Sequence, residues 1–310
     1  MNVRPLLHRV RLRAEPLIRR RILTRDAKLA ELKRAFHRRN GYEPNLDEPR
    51  TFNEKLLWYK LFYRDRLMVQ CADKIAMRRY VSTTIGDGHT PQLFGVWDKA
   101  RDIDFDALPE RFVLKYNGGA GANLVCTSKA ELDREAAIEV ARSWLEPKAN
   151  FYLASYEWVY RDIPPRLLAE ELLETPDGDL HDYKIFCFEG QARFAYVTSH
   201  YDGVPHADYY DIAGQVLPFQ RLYPRSPEPP PLPPEWSRLV AYAEKLARPF
   251  PHVRVDFYVV EGRILVGELT FYSGSAVEPI SPDSWDERLG QWWTLPARAR
   301  RLPLAELLPY

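Results

Sequence analysis

Residues 253 to 274, VRVDFYVVEGRILVGELTFYSG, alternate in a way that predicts a β-hairpin with two unlike faces. The odd positions Val253, Val255, Phe257, Val259, Leu265, Leu269 and Phe271 are apolar, as a buried face of period two requires. Arg254, Asp256, Glu268 and Thr270 then share the other face, provided the loop around Gly262 holds an odd number of residues. Upstream, TFNEK at 51 to 55 opens a capped, aromatic-rich helix running to about Arg64, and a second helix is expected from Met68 to Tyr80. A short strand is predicted near Leu93 to Trp97. FVLKY (112 to 116) reads as a strand, NGGAGAN (117 to 123) as a glycine loop, and Leu124 to Thr127 as the partner strand. Residues 129 to 146 have helix composition, RLLAEELLE (166 to 174) reads as a strand entering a hinge, and DYKIFCFEGQARFAYVTS (182 to 199) alternates as a second hairpin. The proline-rich SPEPPPLPPE (226 to 235) reads as a polyproline spacer before a helix from Trp236 to Ala247.

Length and composition set the scale. A chain of 310 residues with 45% hydrophobic and 28% charged residues can bury a substantial core in two or three lobes. No run approaches the roughly 18 to 20 apolar residues that span a bilayer, and no secretory leader is legible, so a cytoplasmic location is expected. Cys71, Cys126 and Cys187 are odd in number and far apart, which fits reduced thiols and excludes a CxxC zinc site. The seven histidines show no metal-ligand spacing.

The net charge of +1 hides an asymmetry, because residues 1 to 40 hold 13 Lys and Arg against 3 Asp and Glu. Read as a helix, this arm carries an intermittent apolar stripe, Leu6, Leu7, Val10, Leu17, Ile18, Ile22, Leu23, Leu29 and Leu32, between its arginines. Two readings stand: peripheral contact with the anionic inner face of a membrane, or packing on the rest of the chain with the arginines solvated. Nucleic acid is not an expected partner, since the remainder is acidic and lacks a recognition motif.

The chemistry starts from the two carboxylates. Asp256 and Glu268 stacked on one face repel unless a cation lies between them, and hard oxygens of this kind suit Mg²⁺ with phosphate completing the shell. An exposed sheet face with an ordinary salt bridge is the alternative. Lys115 ends its strand just before Asn117, Gly118, Gly119, Ala120 and Gly121, where backbone N–H groups can turn toward phosphate oxygens; a tight turn explains the glycines equally well. The loop is neither a Walker A motif nor a dinucleotide GxGxxG. Lys74, taken alone, reads as a solvated helix lysine.

The order of these features resembles the ATP-grasp superfamily, and more narrowly the TupA-like ATP-grasp family associated with teichuronopeptide and surface-polysaccharide biosynthesis. The matching stretches are TFNEKLLWYKL, CADKIAMRRYV, LPERFVLKYNGGAGAN, PRLLAEELL, DYKIFCFEG and VRVDFYVVEGRILVGELTFYSGS, over about residues 50 to 295. The resemblance implies an α+β fold in which two lobes clasp ATP between sheets. It divides the chain into a basic helical arm (1–50), an N-terminal helical region (51–110), a small lobe with the glycine loop (111–170) and a C-terminal lobe with the metal-binding hairpin (171–310).

The same resemblance implies site roles. Lys74 and Lys115 would meet ATP phosphates beneath Gly118, Gly119 and Gly121. Glu170, Glu171, Leu172 and Leu173 would form the hinge reading adenine, and Asp182 and Lys184 would lie near ribose or phosphate. Asp256, Glu268 and Thr270 would hold Mg²⁺, and Arg254 would face phosphate or an acyl-phosphate. The Ser273-Gly274-Ser275 turn can offer backbone N–H groups to an anion on the substrate side, and a plain turn is the other reading. Arg254, Lys115 and Ser275 are thus the candidate catalytic residues. Two positions depart from the family pattern: the loop reads Gly-Gly-Ala-Gly where many relatives carry His-Gly-Ser-Gly, and Thr270 stands where an asparagine usually gives the third oxygen. The implied activity is an ADP-forming carboxylate-amine ligase acting on a uronic acid, amino acid or peptide-like substrate. Glycosyl transfer in polysaccharide synthesis and a non-catalytic nucleotide-binding scaffold remain open.

Overall fold

The computed structural model describes residues 25–146, 151–176, 178–201 and 203–296. Most of the basic arm, with its proposed membrane contact, lies outside them. Helix α1 (Arg25–Asn40) is described, and it buries Leu32 and Phe36 in the main core. Thr51 opens α2 (Phe52–Phe62) with the expected capping box: its hydroxyl accepts from the Glu54 N–H at 3.1 Å, and the Glu54 carboxylate takes the Thr51 N–H.

The helix expected over 68 to 80 is two helices, α3 (Arg66–Ala72) and α4 (Met77–Ile85). Asp73 breaks it. Its carboxylate accepts from the Ile75 N–H at 2.9 Å, an Asx-type turn that competes with the helical pattern. The break places Lys74 in a turn, where its backbone N–H donates to the Asn117 carbonyl at 3.1 Å.

Two antiparallel sheets follow. The first, in spatial order β1-β4-β2-β3, comprises β1 (Leu93–Trp97), β2 (Phe112–Tyr116), β3 (Asn123–Cys126) and β4 (Leu167–Glu170). One face packs Phe112, Leu114, Leu167 and Ala169 against Ala137 and Ala141 of α5 (Arg134–Trp144), which Asp133 caps through the Ala136 N–H. The register Val113↔Glu170 and Lys115↔Leu168 puts Lys115 and Glu170 together on the opposite face. β1, expected in the N-terminal helical region, is an edge of this sheet.

The second sheet runs β7-β6-β5-β8-β9: β5 (Asp182–Phe188), β6 (Gln191–Tyr201), β7 (Val204–Asp211), β8 (His252–Val260) and β9 (Arg263–Thr270). The expected hairpins are present, and β7 extends the first into a meander. After the short α6 (Phe151–Ser155), the remaining helices are α7 (Trp236–Ala247) and α8 (Ser284–Gln291). α7 packs against β5, β6 and β8, while Phe52 of α2 meets the rings of Phe186, Phe188 and Phe194. The three cysteines are buried free thiols, and no helix among the described residues is long and apolar enough to cross a membrane.

The β8–β9 hairpin reaches its expected pairing by an unexpected route. Its loop has two residues, Glu261 and Gly262, both at positive φ, as a tight turn matched to strand twist requires. That even count alone would oppose the parity assumed above. A bulge restores it: Phe257 pairs with Val266 but Asp256 pairs with Glu268, leaving Gly267 as the extra residue. A Cβ there would lie 2.7 Å from the Tyr258 ring, so the bulge calls for glycine. The bulge also corrects the face assignment. Ile264 and Val266 join the core, whereas Leu265 pairs with Tyr258 on the face bearing the acids.

Candidate active site

A cleft of about 230 Å³ opens between the two sheets, lined by Lys74, Lys115, the 119–123 loop, Asp182, Lys184, Asp256, Tyr258, Gly267 and Glu268. Each element contributes for a local reason. The Asp73 turn aims Lys74 at the loop, where its ammonium donates to the Gly119 carbonyl at 2.5 Å and lies 3.9 Å from Glu268. Asn117, fully buried, fixes the base of the loop: its amide donates to Asp73 and to the Pro164 carbonyl, each at 3.0 Å, and its side-chain oxygen accepts from the Arg166 N–H at 2.8 Å. Gly119 sits at φ +113°, and a Cβ would meet Phe151 at 2.9 Å.

On the first sheet, Lys115 donates to Glu170 at 2.5 Å, and Arg78 contacts the other oxygen of that carboxylate at 3.3 Å. Glu171 bonds Arg263 beside the hairpin turn at 2.6 Å, and its N–H donates to the Gln92 carbonyl. Glu171 is thereby tied to the tip of the acid-bearing hairpin. Glu170 to Leu173 are not among the cleft-lining residues.

The second sheet carries the charged row. Asp256 lies directly across from Glu268 on one side and Lys184 on the other, and Arg254 lies across from Thr270. Arg254 binds Asp256 through two hydrogen bonds of 2.6 Å and reaches Glu268 at 3.2 Å, Thr270 at 3.0 Å, Tyr196 at 3.3 Å and Ser273 at 3.1 Å. Lys184 donates to both Asp182 and Asp256. The two acids titrate apart. Burial drives Asp256 up to about 6 against the pull of Arg254 and Lys184. Burial also opposes ionisation of Glu268, but Lys74, Arg254 and Lys184 outweigh it and hold that carboxyl down to about 2.

Among the described residues no group of three or more His, Cys, Asp or Glu side chains is arranged to hold a metal. The oxygens available here include the facing carboxylates of Asp256 and Glu268, the Asp182 carboxylate, and the Thr270 hydroxyl, which donates to Glu268 at 2.9 Å. That hard-oxygen set fits a divalent cation whose remaining ligands come from phosphate.

Ser275 stands apart from the cleft. Its hydroxyl donates to Glu157 at 2.7 Å, its N–H to the Tyr272 carbonyl at 2.9 Å, and its backbone sits at φ +54°. Arg78 and Tyr258 were not among the expected site residues. Arg78 stands four residues beyond Lys74, and Tyr258 shares the strand alternation of Asp256, so both carried a local signal. Only the face of Leu265 depends on the bulge.

Lysines and a glycine loop facing paired acids across two antiparallel sheets make this the cleft of an ATP-grasp protein. The chain belongs to the TupA-like ATP-grasp family, whose model matches residues 54–294. No curated protein matches it in sequence.

Similar solved structures include D-alanine–D-alanine ligase from Bacillus anthracis complexed with ATP, at 16% identity over 65% of this chain and 55% of that one, with a TM-score of 0.38. D-alanine–D-alanine ligase from Helicobacter pylori aligns at 12% over 84% and 67%, with a TM-score of 0.44. N5-carboxyaminoimidazole synthase from Aspergillus clavatus, in complex with ADP and 5-aminoimidazole ribonucleotide, aligns at 13% over 65% and 44%, with a TM-score of 0.37. The chain thus spans little more than half the length of the first of these, and at such scores the likenesses carry no argument about activity.

Proposed function

We propose that the protein is an ATP- and Mg²⁺-dependent, ADP-forming ligase that joins a carboxylate to an amine in the synthesis of a surface polysaccharide or peptide-like polymer. The supporting observation is the convergence of Lys74, Lys115 and Lys184 with Asp256 and Glu268 on one cleft under the glycine loop. In this reading Lys74 and Lys115 neutralise phosphate charge, and Arg254 faces the γ-phosphoryl group as it passes to the substrate carboxylate. The amine then attacks the acyl carbon, the C–N bond forms, the C–O bond to phosphate breaks, and the amine proton leaves with phosphate or to solvent. Mg²⁺ held by Asp256, Glu268 and Thr270 would neutralise phosphate charge. The 117–122 loop, seated on Phe151, keeps water from the acyl-phosphate. The polymer context rests on the family resemblance.

The test is ADP release with D-glucuronate, D-galacturonate or L-glutamate as carboxylate, paired with a panel of amines. A ligase requires both substrates together with Mg²⁺. Glu268→Gln should remove the Mg²⁺ requirement along with turnover while leaving the fold intact, because that side chain is about one-third exposed. Full Mg²⁺-dependent activity in Glu268→Gln would overturn the metal assignment. Transfer from a nucleotide sugar that ignores ATP would replace the ligase with a glycosyltransferase.

A further inference from the structure

Next to the charged row, and off the sheet, lies a second buried arginine. Arg221 lies after β7, on a stretch held by paired backbone hydrogen bonds of 2.9 Å between Gln220 and Ser281. Its side chain is 1% exposed, and its guanidinium stands over the Phe52 ring at 5.3 Å. Nη1 donates to the Ser273 hydroxyl at 3.2 Å, the same oxygen that accepts from Arg254 at 3.1 Å. Nη2 comes within 3.3 Å of Glu278 without an aligned hydrogen bond, and Nε and Nη2 have no hydrogen-bond partner.

The two arginines therefore differ sharply although they share one hydroxyl. Arg254 is saturated by Asp256, Glu268, Thr270, Tyr196 and Ser273. Arg221 keeps donors unsatisfied at full burial, a costly state that a bound anionic oxygen would relieve. Ser273 places those donors next to Arg254.

We propose that Arg221 is a specificity residue that recognises a carboxylate carried by the amine substrate. This rests on the ligase reading above. A planar guanidinium whose Nε and Nη2 lack hydrogen-bond partners matches a carboxylate fork, which would compete with Glu278 for Nη2 and seat an acid-bearing amine beside Arg254.

The experiment compares amino acids with their carboxamides as the amine, in the presence of ATP, Mg²⁺ and the carboxylate panel. Wild-type enzyme should favour the acid over the amide by at least about tenfold in kcat/KM. Arg221→Gln should abolish that preference with ATP affinity unchanged, and Arg221→Lys should restore part of it. Equal use of acid and amide by the wild type overturns the assignment without recourse to any variant, and a preference surviving in Arg221→Gln does so as well. Hydroxylamine, which carries no acid, reports acyl-phosphate formation separately. Hydroxamate formed without any acid preference sinks the Arg221 proposal alone, whereas no hydroxamate and no ADP sinks the ligase reading beneath it.

Discussion

His252 opens β8 two residues before Arg254 and is fully buried among Phe52, Tyr59, Phe186, Phe188 and Trp293, with ring centroids 4.9 to 6.2 Å away. Its Nδ1 bonds the Cys187 carbonyl at 3.0 Å, and Nε2 has no partner. Burial, opposed by that carbonyl and reinforced by the charges of Arg254 and Arg221, lowers the imidazole from 6.5 to about 3. The unfolded chain therefore binds a proton near pH 6.5, whereas the folded chain resists it until about pH 3. The stability tied to neutral His252 is whole above pH 6.5 and is lost as the pH falls toward 3. At about 1.4 kcal/mol per pH unit the full gap is worth roughly 5 kcal/mol, and about 3 kcal/mol of it is gone at pH 4.5. Urea unfolding of wild type and His252→Phe, followed by tryptophan fluorescence at pH 7 and pH 4.5, isolates this contribution because carboxylate titration is common to both proteins. The variant, which loses the bond to Cys187, should be the less stable at pH 7 and should gain on the wild type by about 3 kcal/mol at pH 4.5. A stability difference that does not change with pH would refute the reasoning.

Three further perturbations separate structural from functional roles. Asp256→Asn leaves Arg254 buried against a neutral amide, and chemical denaturation should show a loss of about 3 kcal/mol or more, far beyond that of Glu268→Gln. Gly290→Ala would put a Cβ 2.1 Å from the Arg50 carbonyl, where α8 crosses the start of α2; backbone cannot yield cheaply, and thermal melts should show a loss of about 3 kcal/mol. Lys115→Ala should raise the Kd for ATP by about tenfold, about 1.4 kcal/mol, in equilibrium titration, and unchanged affinity would remove it from the phosphate site.

Legibility in the sequence followed the range of the forces involved. The capping box at Thr51, the glycine loop and the alternating hairpins rest on contacts a few residues apart, and each appeared where the pattern put it. The helix break at Asp73 was not legible, because the carboxylate that ends α3 is held by Asn117 and Arg166, distant in sequence. The acids came to face each other through a bulge rather than an odd loop. Gly267 had the composition of a bulge residue, but the Tyr258 ring that fills its missing Cβ is a tertiary fact. Arg221 carried no local signal at all, being placed by a bridge to Ser281.

The charges of the site constrain how a nucleotide could enter it. Lys115 is bound to Glu170, Lys184 to Asp182 and Asp256, Arg254 to Asp256 and Glu268, and Lys74 to the Gly119 carbonyl. None of these cations waits unengaged for phosphate, so binding must exchange partners rather than fill an empty cradle. Each lysine drawn to a phosphate oxygen leaves a carboxylate or carbonyl behind, and a buried anion without its partner is expensive. On the proposed function, a divalent cation arriving with the nucleotide would offset that cost at Asp256 and Glu268, supplying the charge that Lys184 and Lys74 withdraw. ATP affinity should therefore fall steeply without Mg²⁺. In Lys184→Met, which has no ammonium to displace, the Mg²⁺ requirement for nucleotide binding should become sharper, because Asp256 then lacks its neighbouring lysine. Calorimetric titrations of ATP with and without Mg²⁺ in the two proteins measure this coupling, and equal Mg²⁺ dependence would mean that Lys184 and the metal do not compete for the same carboxylates.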